Sequence, residues 1–258
     1  MGPIAMILGL DASSLALAMT VALLAGFIKG AIGFGMPMVL FSGLATILPV
    51  ELAVAGLILP TVVSNGFQAF RQGWAEAVAS IRKFWRFSAI LFVTILLSAQ
   101  LITQLPRDLL LIMLGLFITV FAILQIIGWA PQMAGRARIW VETGMALIGG
   151  FFGGMTGIWG PPTVLYLTAL NTPKTESVRV QGVMYGAGSL ILLVSHLKSG
   201  VLNASTAPFS ALLVVPAIGA TLIGFRMQDR MNQALFRKAT LGLLVIAGLN
   251  LLRRGIWG

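Results

Sequence analysis

Lys29 interrupts an apolar, glycine-rich stretch, GFIKGAIGFG, that runs from Gly26 to Gly35. An ammonium within a bilayer is costly unless it has a partner, and a transported anion is one such partner. The other reading is that the run before Lys29 crosses the membrane fully and leaves the side chain in cytoplasmic water; both are open from the residues alone. A second stretch, GFFGGMTGIWGPP, begins at Gly150 and carries Thr156 and Trp159, whose hydroxyl and indole N–H can donate hydrogen bonds. Pro37 and the Pro161-Pro162 pair follow the two stretches, where proline suits the first turn of a helix. Each such helix start aims unpaired N–H groups and a partial positive charge at the glycines, which let a ligand approach the backbone. Two helix starts facing each other suit a small anion. Lys29, Gly30, Gly33, Gly35, Thr156, Gly157, Trp159 and Gly160 therefore form the core of a candidate substrate site.

Other polar residues lie at helical spacing in apolar runs. Ser64, Asn65 and Gln68 form one group, and Gln181, Tyr185 and Ser189 form a stripe four residues apart. They either line the substrate's route or join helices by hydrogen bonds. Arg179 either guides anions inward or anchors the chain at the interface, and Glu142 either takes a coupling proton or is solvated there. His196 reads as an interfacial residue. The spacings Gly26/Gly30, Gly150/Gly154 and Gly182/Gly186 also suit close helix packing.

What must position these residues is a membrane-embedded helical scaffold. The chain has 258 residues, 58% of them apolar and 9% charged, too few charges to coat a soluble surface. Its formal charge of +10 comes from basic residues clustered between apolar runs, so it reports orientation in a bilayer and not nucleic-acid binding. With no cysteine and a single histidine, disulfides, thiolate chemistry and Cys- or His-rich metal sites are excluded, and no cofactor is implied. Residues 1–28 hold no Lys or Arg, which reads as part of the mature protein and not as a cleaved signal.

Apolar runs fall at about 12–28, 36–48, 52–70, 87–105, 109–128, 139–155, 160–170, 178–197, 207–225 and 239–252. Runs 36–48 and 160–170 are too short to cross alone, and each follows a glycine-rich break. At an offset of 124, Gly26, Phe27, Gly30 and Gly33 meet Gly150, Phe151, Gly154 and Gly157; one residue later Gly35, Pro37, Val39 and Leu40 meet Gly160, Pro162, Val164 and Leu165. This indicates an internal duplication, with 1–130 as the first transmembrane repeat and 131–258 as the second. Arg71, Arg82, Lys83 and Arg86, then Arg136 and Arg138, then Arg226, Arg230, Arg237 and Lys238 mark inner loops. The amino terminus and the Pro106 turn are then outside. Each half contributes three spans plus a pair that starts and ends on one side, so the halves are inverted; Arg253 and Arg254 would fall outside, against the scheme. The expected fold is an all-α polytopic membrane protein of two inverted repeats, each with a broken or re-entrant helix pair and three spanning helices, about eight to ten membrane helices in all.

These same residues resemble the sulfite exporter TauE/SafE family of membrane permeases, through the two halves, GFIKGAIGFG, GGMTGIWGPP and the Arg179-Val180-Gln181-Gly182 stretch. The resemblance implies a multi-pass bacterial inner-membrane protein that moves sulfite, sulfonates or other small organosulfur anions. The expected activity is secondary transport by alternating access around the paired breaks, with a proton or sodium ion as the possible coupling partner and the oligomeric state open. An intramembrane lipid-phosphate hydrolase and a passive anion channel are the rivals; the first would need a base or nucleophile, and only Glu142 and His196 lie within or beside the spans.

Overall fold

The structure is a computed structural model that describes residues 11–98, 107–129, 135–156 and 160–257. The Pro106 turn, Gly157 and Trp159 lie outside the described residues, as do the side chains of Gly154 and Thr156. Among the described residues the chain forms eleven helices: α1 (Ala12–Ile32), α2 (Met36–Leu44), α3 (Val50–Phe70), α4 (Trp74–Lys83), α5 (Trp85–Ser98), α6 (Arg107–Ile126), α7 (Gly135–Thr156), α8 (Gly160–Ala169), α9 (Lys174–Lys198), α10 (Ala207–Arg230) and α11 (Gln233–Trp257). Five are long and apolar enough to cross a membrane: α1, most of α3, α9, α10 and α11. At 9 and 10 residues, α2 and α8 reach only about half of a hydrocarbon core, as their short runs predict.

Side-chain placement fits a lipid solvent. Leu24, Leu97, Val120, Ile191, Val215 and Ile246 point outward, whereas Ser64, Asn65, Gln68, Gln125, Gln181 and Thr221 are buried. Trp74, Trp85, Trp129, Trp140 and Trp257 are exposed at or beside helix ends, where amphipathic rings sit at headgroup level.

The helices fall into two compact units, each assembled from separate stretches of chain: residues 1–77 with 178–231, and residues 78–177 with 232–258. In the first unit α1 runs along α10, with α2 and α3 completing the packing. The approach of α1 to α10 depends on small residues. A Cβ on Gly26 would lie 2.1 Å from the Ala217 carbonyl oxygen, and one on Gly30 would lie 2.1 Å from that of Thr221. The Thr221 hydroxyl donates to the Gly26 carbonyl at 3.1 Å. Gly30 is thus used in helix packing, the role its spacing also suggested.

In the second unit α7 packs on α5 in the same manner. A Cβ on Gly150 would meet the Leu91 carbonyl oxygen at 2.7 Å, and the Ser98 hydroxyl donates to the Gly150 carbonyl at 2.9 Å. Here α6 and α11 also pack closely, with Gly115 against Gly248.

Gly26→Leu should lower thermal stability of the detergent-solubilised protein, by at least the roughly 1–3 kcal/mol that overpacking costs, because the obstructing atoms are backbone. Gly66→Ala, with nothing within 4 Å of the added Cβ, should be neutral or gain up to about 1 kcal/mol from helix propensity.

Candidate functional site

The first glycine-rich break is a true interruption of the helix. Gly33 closes α1 with φ of 91° and donates its N–H to the Lys29 carbonyl at 2.7 Å, and Gly35 opens α2 with φ of 94°. Both conformations are left-handed, which is why glycine is needed at each position. Pro37 lies in the first turn of α2.

Lys29 lies on the last turn of α1 and is 1% exposed. Helix α1 is long enough to cross a membrane, as one sequence reading required, yet Lys29 is buried in protein and not in water. Its ammonium donates to Asn65 Oδ1 at 2.6 Å and sits 5.9 Å from the Tyr185 ring centroid, within range of a cation–π contact. Among the described residues no carboxylate pairs with it. Asn65 in turn donates through Nδ2 to Ser189 at 3.3 Å. Ammonium, amide and hydroxyl therefore form a polar chain from α1 through α3 to α9.

One turn further along α3, Gln68 uses one amide nitrogen to hold two backbone oxygens, that of Gly33 at 2.9 Å and that of Val178 at 2.6 Å. This ties the break to the start of α9. Gln181 is fully buried, and its Oε1 would lie 2.8 Å from a Cβ on Gly33. The structure thus brings together Lys29, Gly33, Asn65, Gln181 and Tyr185 of the expected site. Lys29 and Asn65 spend polar groups on each other, while the buried Gln68 Oε1 has no hydrogen-bond partner among the described residues.

Arg179 is tied within this unit, its guanidinium donating to Gln72 and lying 3.3 Å from Glu76. At the end of α3, Arg71 pairs with Asp229 at 2.5 Å, donates to Gln228 Oε1 at 2.9 Å and stacks over Phe225 at 4.3 Å. These two clusters join the ends of α3 and α10 and the starts of α4 and α9. Sequence reasoning read Arg71 only as a loop charge, because nothing local links it to Asp229, 158 residues away.

The second break belongs to the other unit. Gly160 starts α8, and Pro161 and Pro162 lie in its first turn, all but the first of these buried. Glu142 is 8% exposed and so is not solvated. It lies against the buried Tyr166 phenol, which also interacts with Arg138 and stacks on Phe87 at 4.4 Å. Tyr166 was missed in the sequence, although a lone phenol in a short apolar run was its signal.

Replacing Asn65 by Leu removes the acceptor of the buried Lys29 side chain, so Asn65→Leu should cost about 1–3 kcal/mol of stability in detergent. Adding Lys29→Met to that variant should recover most of the loss, since the stranded polar group is then gone.

Comparison with curated proteins and with solved structures returns no match. The family model described as Sulfite exporter TauE/SafE matches residues 18–251, nearly the whole chain. That span includes both glycine-rich breaks, Lys29 and the polar chain beneath it, and the protein is accordingly a multi-pass membrane transporter belonging to the TauE/SafE sulfite exporter family.

Proposed function

We propose that this protein is a secondary transporter for a small organosulfur oxyanion, sulfite or a sulfonate, that works by alternating access around its two glycine-rich breaks. The observation that carries the reading is the buried Lys29 ammonium: among the described residues no carboxylate pairs with it, and Lys29 lies on the last turn before a helix break whose following helix starts with N–H groups unpaired within it. An oxyanion would supply both the missing countercharge and acceptors for those donors. Lys29, Asn65, Gln181 and Tyr185 would line one side of the site, with Gly33 and Gly35 bringing the backbone close. Thr156, Gly157, Trp159 and Gly160 of the second break are proposed as substrate-binding residues as well.

Two inverted repeats, divided near residue 130, suit this mechanism, and several contacts support them. The matched glycines Gly26 and Gly150 each accept a hydroxyl hydrogen bond from a helix of the opposite half of the chain, Thr221 for one and Ser98 for the other. Asn65 and Ser189, which bond to each other, are separated by 124 residues, the offset that aligns the first motifs. The chemical asymmetry is as informative: at that offset Lys29 faces Gly153, so a single ammonium serves the site. By charge distribution the amino terminus lies outside a bacterial inner membrane. The ion pairs Arg71–Asp229 and Arg179–Glu76 then form an inner latch that releases when the site opens inward.

In proteoliposomes the protein should move sulfite or methanesulfonate, and these anions should raise its melting temperature in detergent. Lys29→Ala should weaken binding roughly 10- to 100-fold, the value of one charge-assisted hydrogen bond. Absence of flux and of thermal stabilisation for all small sulfur oxyanions would remove the reading. For the latch, Asp229→Arg should make a Ser64→Cys thiol, on the turn of α3 that carries Asn65, more reactive toward a charged reagent from the inner side, and adding Arg71→Asp should reverse the change. The natural chain holds no cysteine that would compete.

A further inference from the structure

Lys29 has one hydrogen-bond acceptor, Asn65 Oδ1 at 2.6 Å, and one aromatic face, Tyr185, among the described residues. The elements packed around it bring no compensating charge. On α1 the acid is Asp11, at the far end of the helix as its N-cap. On α3, Glu51 lies in the first turn, and Arg71 is six residues beyond Asn65, about 9 Å along the helix. On α9, Tyr185 is the titratable neighbour, and Arg179 is paired with Glu76. On α10, Thr221 and Gly224 pack on the Lys29 turn, and Asp229 is committed to Arg71.

An ammonium held there alone is the costliest state the site could adopt, because a buried charge with no counter-charge forfeits its hydration without a Coulombic return. A neutral amine hydrogen-bonded to its neighbours avoids that cost, and so does an ammonium paired with an anion. The two affordable states differ by one anion and one proton together.

Resting on the transport reading above, we propose that Lys29 is the coupling group: the amine takes a proton as the oxyanion binds, and both cross and leave together, making transport of a monoanion electroneutral proton symport. The balance is simple, one proton bound at Nζ for one negative charge on the substrate, with no covalent step. No separate carboxylate relay is needed for it.

Methanesulfonate is the discriminating probe, since as the anion of a strong acid it carries no proton of its own. In proteoliposomes loaded with a pH-sensitive dye, an inward methanesulfonate gradient should acidify the lumen, one proton entering with each anion, and an imposed potassium-diffusion potential should leave the rate unchanged. Calorimetric titration in buffers of different ionisation enthalpy should reveal proton uptake on binding. Lys29→Arg keeps a charge that does not dissociate; it should bind methanesulfonate without proton uptake, detected by thermal stabilisation, and should lose lumenal acidification. Methanesulfonate flux that carries no proton and follows the imposed potential would overturn the coupling while leaving the transporter reading intact. Retention of proton-coupled flux by Lys29→Gln would also overturn it. If the wild type neither binds nor moves methanesulfonate or sulfite, the transporter reading fails, and this inference with it.

Discussion

A lysine with 1% of its surface exposed, held by one amide oxygen and paired with no carboxylate among the described residues, is the constraint around which the first unit is organised. Buried charge is tolerated in membrane proteins where a partner, a cavity or a ligand offsets the desolvation. Here, among the described residues, the protein supplies Asn65 and the face of Tyr185. Helix α1 stops at the left-handed Gly33, and Gly35, left-handed as well, opens α2, whose first-turn N–H groups have no carbonyl partner inside the helix.

Holding such a site requires helices that do not shift, and lipid offers no hydrophobic force to press them together. The solution is contact at the backbone. Gly26 and Gly30 let α1 touch the carbonyls of α10, Gly150 lets α7 touch α5, and in both cases a hydroxyl on the partner helix donates to the glycine carbonyl. Each helix that leads into a break is therefore fastened by a helix from the other half of the chain.

Much of this was legible in one dimension. The paucity of charge, the spacing of apolar runs and the +10 balance concentrated between them require a multi-span helical protein, because those features follow from solvation alone. The two short runs after the glycine-rich stretches are short helices for equally local reasons: prolines suit the start of each, and at the first break left-handed glycines end the preceding helix. Asn65, Gln181, Tyr185 and Lys29 stood out as polar residues in apolar segments, where an unpaired polar group is expensive.

What the residue order determined by itself, then, was which groups are too costly to leave alone in lipid. Tertiary structure decided which partner each of them finds. Local pattern carries no information about contacts between residues 36 or 158 positions apart, so Lys29 with Asn65, and Arg71 with Asp229, had to be read from the packed helices. For the same reason the sequence left Arg179 open between a guide for anions and an interfacial anchor, and Glu142 between a proton acceptor and a solvated carboxylate, whereas the packed helices tie Arg179 to Glu76 and bury Glu142 beside Tyr166. Desolvation energy is a property of the residue, whereas its compensation is a property of the fold.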